Sequence, residues 1–230
     1  MVHRADPHNA DLKIGARQSG FTIQRIAALD IIDGFFYELT HARTGARYIH
    51  ISRPDKENVF GVAFKTVPQD STGVAHILEH TALCGSARFP VRDPFFSMLK
   101  RSLSTFMNAF TASDWTMYPF ATQNRKDFKN LMDVYLDAAF FPNIDELSFK
   151  QEGHRIEFDG SATGQSSDDL VYKGVVYNEM KGAMSSPDQV MVRSLLNALY
   201  PDTTYRFNSG GEPADIPRLT HQQLVEFHRR

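Results

Sequence analysis

Two histidines and a glutamate stand close together in the segment His76-Ile77-Leu78-Glu79-His80. On an α-helix, residues four apart project from one face about one turn apart, so the two imidazoles can bind a single metal ion. Glu79 follows His76 by three residues and lies on the same face, where its carboxylate can reach a water molecule on that metal. Two neutral imidazoles, a nearby general base and an open coordination position are what zinc-assisted hydrolysis of an amide requires. The spacing therefore predicts a hydrolytic zinc centre.

The flanks of this segment bear on the alternative, which is a pair of solvated histidines on a helix surface. Asp70-Ser71-Thr72 offers an N-cap before the segment, and Cys84-Gly85 offers a C-terminal stop after it. The positions between them are apolar on nearly every side and predict a buried helix: Val74, Ala75, Ile77, Leu78, Ala82 and Leu83. Buried histidines beside a buried carboxylate must be paired or metal-bound, because leaving them unpaired in apolar surroundings is costly. The metal interpretation is favoured.

A catalytic zinc needs a third protein ligand. Glu179 is the best candidate, because it is the only carboxylate in an apolar and small-residue helix predicted around it. Its alternative is a salt bridge to Lys181 or a solvated face, but a residue two positions away points elsewhere on a helix. Glu152 and Glu157 have charged neighbours and are predicted to lie on the surface. Cys84 follows His80 by four residues, yet a thiolate would make a closed, structural zinc site, so a small core residue is the favoured interpretation.

Composition limits the classes of partner. The 230 residues carry a net charge of −2, which provides no basic field for nucleic acid and gives no reason to expect an anionic membrane partner. No apolar run is long enough to span a bilayer, and residues 1–6 lack the apolar stretch of a secretory signal. One cysteine in the chain fits a reducing compartment. We therefore predict the cytoplasm of a bacterium, with the matrix of an organelle as the alternative.

The elements that must position these residues follow from periodicity and turn chemistry. The first third is predicted as strands, at 21–28, 34–42, 47–53 and 59–67, with a hairpin at 106–111 and 115–122. Helices are predicted at 94–103, 126–141, 143–154, 173–184, 188–200 and 222–230, with a strand at 155–158 and a loop at 160–169. Strands followed mostly by helices predict an α+β fold, a largely antiparallel sheet packed against several helices.

Three separated segments, 76–80, 104–111 and 178–182, resemble the pitrilysin/insulysin family of zinc metallopeptidases. The order H-x-x-E-H in the first of them is the inverzincin signature. The stretch 83–96 is similar to one branch of the family, the presequence proteases. The resemblance runs from about residue 21 to the last residue. It implies that His76, His80 and Glu179 bind one Zn²⁺ per chain and that Glu79 is the general base.

The resemblance also implies substrate-binding residues. Asn108, Ala109 and Phe110 match an edge strand that pairs with the backbone of the substrate, a form of recognition that accepts many sequences because it reads the main chain. An apolar pocket for a substrate side chain is implied at four positions, for which ordinary core packing is the alternative: Leu83, Phe95, Phe96 and Leu99.

Family members are several times longer, and their two halves close like a clamshell around an unfolded peptide. Residues 1–230 are accordingly expected to be a single N-terminal catalytic domain that stops before its last strands, without the C-terminal half that supplies an arginine and a tyrosine to the substrate carbonyl. The predicted function is a zinc-dependent endopeptidase that hydrolyses unstructured oligopeptides through a metal-activated water. The alternatives are a non-catalytic domain that binds a peptide or a partner, and a structural zinc site. The chain by itself is expected to be nearly inactive and prone to self-association.

Overall fold

The computed structural model describes residues 12–159 and 169–230, and their contacts form two compact units, one ending at Lys56 and the other comprising Glu57–Arg230. The loop predicted at 160–169 lies, except for Asp169, outside the described residues. That residues 1–230 act as one domain stays a prediction. Within the two described ranges, no helix has both the length and the apolar character needed to cross a bilayer.

The first unit is one antiparallel sheet. Its four strands are adjacent in the order of the chain, and they are β1 (Arg17–Gln18), β2 (Phe21–Leu29), β3 (Gly34–His41) and β4 (Arg47–Ser52). Ile23, Phe35 and Tyr37 are its buried side chains among those described. β-Branched and aromatic residues predicted β2, β3 and β4, and the predicted ends of these strands lie within two residues of the observed ends.

The second unit contains a four-stranded antiparallel sheet of β5 (Asn58–Lys65), β6 (Ser104–Met107), β7 (Phe110–Thr111) and β8 (Trp115–Thr122). β8 lies between β5 on one side and β6 and β7 on the other, so β6 and β7 form one edge of the sheet. The predicted strand at 106–111 is interrupted because the backbone N–H of Ala109 donates to Asn108 Oδ1, at 2.9 Å, instead of to a strand.

A second, two-stranded antiparallel sheet joins β9 (Arg155–Phe158) to β10 (Leu170–Lys173). β10 was not predicted, and its last residue was assigned to the following helix. The helices are α1 (Val74–Ala82), α2 (Pro94–Arg101), α3 (Arg125–Phe140), α4 (Glu146–Glu152), α5 (Val175–Ala183), α6 (Pro187–Leu199) and α7 (His221–Arg229). Antiparallel sheets combined with helices confirm the predicted α+β fold.

Helix α1 contributes to both apolar clusters of the second unit. Ile77 and Leu78 pack in a cluster with Phe149 of α4, Val176 of α5 and Leu224 of α7. Ala82, at the end of α1, belongs to a second cluster with side chains of β8 and α3: Tyr118, Phe120, Leu131, Tyr135 and Ala139. Seven of the nine residues of α1 are buried, which confirms the buried helix predicted from the flanks of the histidine pair.

The start of α1 differs from the prediction. Its N-cap is Gly73, with φ +71°, and the Asp70 carboxylate instead accepts hydrogen bonds from the N–H and the hydroxyl of Thr72 at 2.9 and 2.6 Å. A Cβ on Gly73 would lie 2.7 Å from the carbonyl oxygen of Gly210. Glycine is therefore needed here both for its left-handed backbone and for the close approach of the Gly210 loop to the helix.

Candidate metal centre

The structure brings the three predicted ligands together in the second unit. His76 and His80 project from α1 with ring centroids 5.0 Å apart, and Glu179 of α5 faces both. Glu179 Oε2 lies 3.8 Å from Nε2 of His76 and 3.8 Å from Nε2 of His80. One ligand atom from each residue lies within 4.8 Å of the other two.

The chemistry and spacing of these donors suit zinc. Donors about 2.0–2.2 Å from a tetrahedral zinc lie roughly 3.4 Å from one another, so the observed 3.8 Å separations need only a small contraction. Two imidazole nitrogens and one carboxylate oxygen leave a fourth position for a water or a substrate. The side chain of Glu179 is 54% exposed, so this position opens to solvent.

Glu179 was selected for a reason that the structure does not support. The prediction set a solvated face aside because Glu179 is the one carboxylate in an apolar and small-residue helix, but Val176 is the buried residue of α5 and Glu179 itself is exposed. The carboxylate lies beside the histidines because α5 packs on α1 through Val176.

The second ring nitrogen of each histidine has a hydrogen-bond partner of its own. His76 Nδ1 lies 3.0 Å from the carbonyl oxygen of Gly210, and His80 Nδ1 lies 3.1 Å from Glu152 Oε2. A carbonyl or carboxylate oxygen only accepts, so each Nδ1 must donate. In the neutral form of each ring, this is the tautomer that leaves the lone pair of Nε2 for a metal.

Glu152 was predicted to lie on the surface, and this is wrong. It is the last residue of α4 and is buried, because Phe149, one turn earlier, packs that face of α4 into the cluster around α1. Burial tends to raise the pKa of Glu152, but hydrogen bonds from His80 and Gln151 outweigh it and hold the pKa below its ordinary value. Burial tends to lower the pKa of His80, and the nearby carboxylates of Glu152, Glu79 and Glu179 raise it on balance.

Glu79 is buried on α1 and is held by a threonine that the sequence did not single out. Thr111 Oγ1 donates a hydrogen bond of 2.6 Å to Glu79 Oε2. The Thr111 hydroxyl also lies 3.4 Å from that of Thr116, which in turn lies 2.8 Å from that of Thr66. Burial, and secondarily the charge of Glu79, raises the pKa of the Tyr118 hydroxyl above its ordinary range. The alternation of β7, which turns Thr111 to the opposite face from Phe110, is the signal that could have found it.

The predicted substrate strand lies at the edge of the four-stranded sheet. Asn108 and Ala109 join β6 to β7, and the carbonyl oxygen of Asn108 accepts a hydrogen bond from the Tyr135 hydroxyl at 3.3 Å. The exposed rings of Phe106 and Phe110 are stacked with centroids 6.3 Å apart. The role of these residues in binding a substrate stays a prediction.

The four residues predicted to line an apolar pocket fall into two pairs. Leu83 and Phe95 are partly buried against the cluster of β8 and α3, whereas Phe96 and Leu99 are 59% and 49% exposed. Their role in substrate binding also stays a prediction. Cys84, the alternative metal ligand, donates its thiol to the carbonyl oxygen of His80, and burial raises the pKa of that thiol from 9.0 to about 12.

Comparison with solved structures bears on the fold. The crystal structure of pitrilysin matches with a TM-score of 0.67 at 18% identity, over 92% of this chain and 21% of that one. A protease from Helicobacter pylori matches with a TM-score of 0.63 at 19% identity, over 84% of this chain and 42% of that one. At these identities the likeness supports the fold alone.

Curated relatives are much more similar in sequence. The mitochondrial presequence protease of Mus musculus is 54% identical over 216 residues, which are 94% of this chain and 21% of the relative. Those of Danio rerio and Drosophila melanogaster are 56% and 51% identical, over 94% and 100% of this chain and 21% and 22% of the relatives. The chain thus spans about a fifth of the length of the curated relatives it matches.

The prediction of a bacterial cytoplasm is wrong, because these relatives are named as mitochondrial proteins. A low cysteine content indicates a reducing environment. It does not identify the compartment, so it could not distinguish the cytoplasm of a bacterium from the matrix of an organelle.

A family model fixes the assignment. Residues 67–187, which include both histidines, Glu79 and Glu179, match the model of the insulinase family, Peptidase family M16. This match confirms the resemblance found in the separated segments. Because it covers more than half of the 230 residues, the chain belongs to the insulinase family, Peptidase family M16.

Proposed function

We propose that this chain is a zinc-dependent endopeptidase domain that hydrolyses unstructured oligopeptides. The observation that carries the proposal is the convergence of His76, His80 and Glu179 beside the buried carboxylate of Glu79. His76 and His80 would hold one zinc ion through Nε2, and Glu179 would hold it through a carboxylate oxygen. A zinc ion bound there acts as a Lewis acid and lowers the pKa of a water molecule from about 15.7 to about 7.

Glu79 is the general base of the proposed reaction. Thr111 holds its carboxylate through Oε2, so we assign Oε1 to accept the proton of the attacking water. The water oxygen adds to the substrate carbonyl carbon, and Glu79 returns the proton to the leaving nitrogen as the C–N bond breaks. The hydrogen bond from Thr111 fixes the carboxylate before the substrate arrives, and such preorganisation is what makes proton transfer efficient.

We propose that the substrate binds as an added strand along β6 and β7. These strands form the edge of the sheet, and β7 also carries Thr111, which contacts Glu79. A peptide backbone paired with this edge would therefore pass close to the base. Leu83, Phe95, Phe96 and Leu99 are proposed to contact a substrate side chain, with the exposed Phe96 and Leu99 as the first of them to meet it.

The names of the relatives suggest presequences as the class of peptide and the mitochondrion as the compartment, and we propose both for this protein. In this chain Glu179 is exposed on the side of the site that faces solvent. We therefore expect the 230-residue chain by itself to hydrolyse peptides slowly, because an open site neither excludes water nor supplies a second group to the substrate carbonyl. Loss of one such oxyanion donor typically costs about 10²–10³ in rate.

A non-catalytic domain that binds peptides is the second candidate. The exposed edge at β6 and β7 supports it, because strand addition needs no metal. A structural zinc site is disfavoured, since Cys84 donates its thiol to the backbone carbonyl of His80.

The test is the hydrolysis of a fluorogenic, unstructured peptide by the zinc-loaded chain, with Glu79→Gln as the background. Glutamine keeps the shape of glutamate but cannot accept the proton, so we expect zinc and peptide binding to persist while turnover falls by about 10²–10⁴. Because this chain by itself is expected to be slow, the same pair is also compared in a protein of the relatives' length, and peptide binding there without turnover above the Glu79→Gln background would favour the non-catalytic domain. Turnover by Glu79→Gln near the wild-type rate would mean that another base acts.

A further inference from the structure

The two histidines of α1 are supported in different ways. The partner of His76 is the uncharged backbone carbonyl of Gly210, in a loop held against the helix by Gly73. The partner of His80 is the carboxylate of Glu152, a side chain on another helix. Only the second of these can be changed by substitution of a side chain, and only it brings a charge to the metal-binding ring.

Glu152 is held on both of its oxygens. Oε2 accepts from His80 Nδ1, while Oε1 accepts from Gln151 Nε2 at 2.9 Å. Gln151 is itself fixed by Arg92, whose guanidinium donates to Gln151 Oε1 at 2.5 Å. The Glu152 side chain is 10% exposed, and a carboxylate so buried is costly unless its oxygens are engaged in this way.

The packing of α4 on α1 does not depend on this carboxylate. Phe149 of α4 and Ile144, just before it, pack on Ile77 and Leu78 of α1 in an apolar cluster. Asp145 caps the start of α4 by accepting from the N–H of Ser148 at 2.9 Å. A neutral residue at 152 should therefore leave the helix in place, so the carboxylate is available for another role.

We propose that Glu152 is a positioning residue for the metal centre, which holds the His80 ring with Nε2 toward the metal and strengthens it as a ligand. This rests on the proposed zinc site. A metal-binding histidine whose other nitrogen donates to a carboxylate is fixed in tautomer and orientation and is a more basic ligand, and loss of such a partner typically lowers metal affinity about 10–100-fold. Glu152 does not join the metal itself: among the described residues, the group that can hold an ion comprises His76, His80 and Glu179.

Three variants separate charge from geometry. Glu152→Gln removes the charge and keeps an oxygen that can accept from Nδ1, so we expect zinc affinity to fall by about tenfold. Glu152→Leu removes both the charge and the acceptor oxygen, so we expect zinc affinity to fall by about 100-fold. Glu146→Gln is the matched control, because Glu146 lies on the same helix, is exposed and pairs with Lys150. The zinc affinity of this variant should equal that of the wild type.

The measurement is the zinc dissociation constant of the metal-free 230-residue chain, by competition with a chromophoric chelator. Circular dichroism and the urea midpoint are recorded for each variant. The visible spectrum of the Co²⁺-loaded chain reports ligand geometry, and a purely structural role for Glu152 would leave that spectrum unchanged in the folded protein. A wild-type affinity and spectrum in folded Glu152→Gln and Glu152→Leu would overturn the proposal.

If Glu152→Leu does not fold, comparison of Glu152→Gln with the wild type still tests the proposal. In the wild type without metal, long-range ¹H–¹⁵N spectra should show His80 protonated at Nδ1, and a proton on Nε2 in the neutral ring would overturn the proposal. Failure of the proposed function looks different: wild type and His76→Ala would then bind zinc equally weakly. If the wild type binds zinc tightly, His76→Ala does not, and both Glu152 variants still do, the zinc site stands and only the role of Glu152 is rejected.

Discussion

The hydrogen bond between Thr111 and Glu79 gives the sharpest test of how the base is held. Thr111→Val replaces the hydroxyl by a methyl group of similar size and keeps a residue that favours strands, so the substitution removes the donor with little change in packing. The lost bond is 2.6 Å long and ends on a carboxylate that is 8% exposed. Hydrogen bonds to charged groups contribute about 1.5–3 kcal/mol, so we expect the free energy of unfolding to fall by about that amount.

Urea unfolding of the metal-free chain is the assay, followed by the fluorescence of Trp115, the one tryptophan, which begins β8 beside the site. The midpoint should fall by roughly 0.5–1.5 M with an unchanged slope. Thr105→Val is the matched control, because Thr105 lies in the neighbouring strand β6 and donates to Glu57 at an exposed position. Its cost should stay within about 0.5 kcal/mol.

A double-mutant cycle with Glu79→Leu isolates the pair itself, because leucine removes the acceptor whereas glutamine would keep an oxygen that can accept from Thr111. We expect a coupling energy above 1 kcal/mol, on the order of the charge-assisted bond. A coupling below about 0.5 kcal/mol would show that the Thr111 hydroxyl does not hold the base, and the argument for a preorganised Glu79 would then be refuted.

Three further outcomes are expected. Asp145→Ala should cost about 1 kcal/mol in urea unfolding at pH 7, because it removes the cap of α4. The pKa of Asp145 lies below its ordinary 3.8, since hydrogen bonds from Ser148 outweigh a burial effect that raises it. The stability from the ionised form is therefore present above 3.8 and is lost as the pH falls through the lower folded pKa, so the difference between variant and wild type should shrink in acid. Iodoacetamide should alkylate Cys84 at least about tenfold more slowly in the folded than in the urea-unfolded chain at one pH, since burial raises its thiol pKa from 9.0 to about 12, and equal rates would contradict that burial. Sedimentation should show concentration-dependent self-association that Met191→Lys with Leu195→Lys weakens, because these residues are 62% and 52% exposed on one face of α6.

The sequence alone determined the parts of the site that are local. His76, Glu79 and His80 share a face because helical geometry dictates it, and the apolar residues around them dictated that this helix is buried. The capping box of α7, Thr220 with Gln223, is a local pattern of the same kind and is present in the structure. Each of these features depends on residues within a few positions of one another.

Glutamates far from the motif were harder to interpret. Glu179 was identified as the one carboxylate of an apolar helix and is exposed, whereas Glu152 was predicted to lie on the surface because of its charged neighbours in sequence and is buried. Lys150 precedes it by two residues, yet α4 turns Glu152 inward with Phe149 and Lys150 outward. Adjacent residues on a helix point about 100° apart, so the charge of a neighbour says little about the burial of a side chain.

Tertiary structure alone decided what supports the metal-binding rings and the base. Gly210 lies 134 residues from His76 and Glu152 lies 72 residues from His80, while Thr111 lies 32 residues from Glu79. No local pattern encodes such pairs, because they form only where the packing of α4 and of the Gly210 loop on α1, and of β7 beside it, brings distant backbone together. Two of the proposed ligands and the base lie within about one turn of α1, but the third ligand and the groups that orient the rings are brought there by long-range packing.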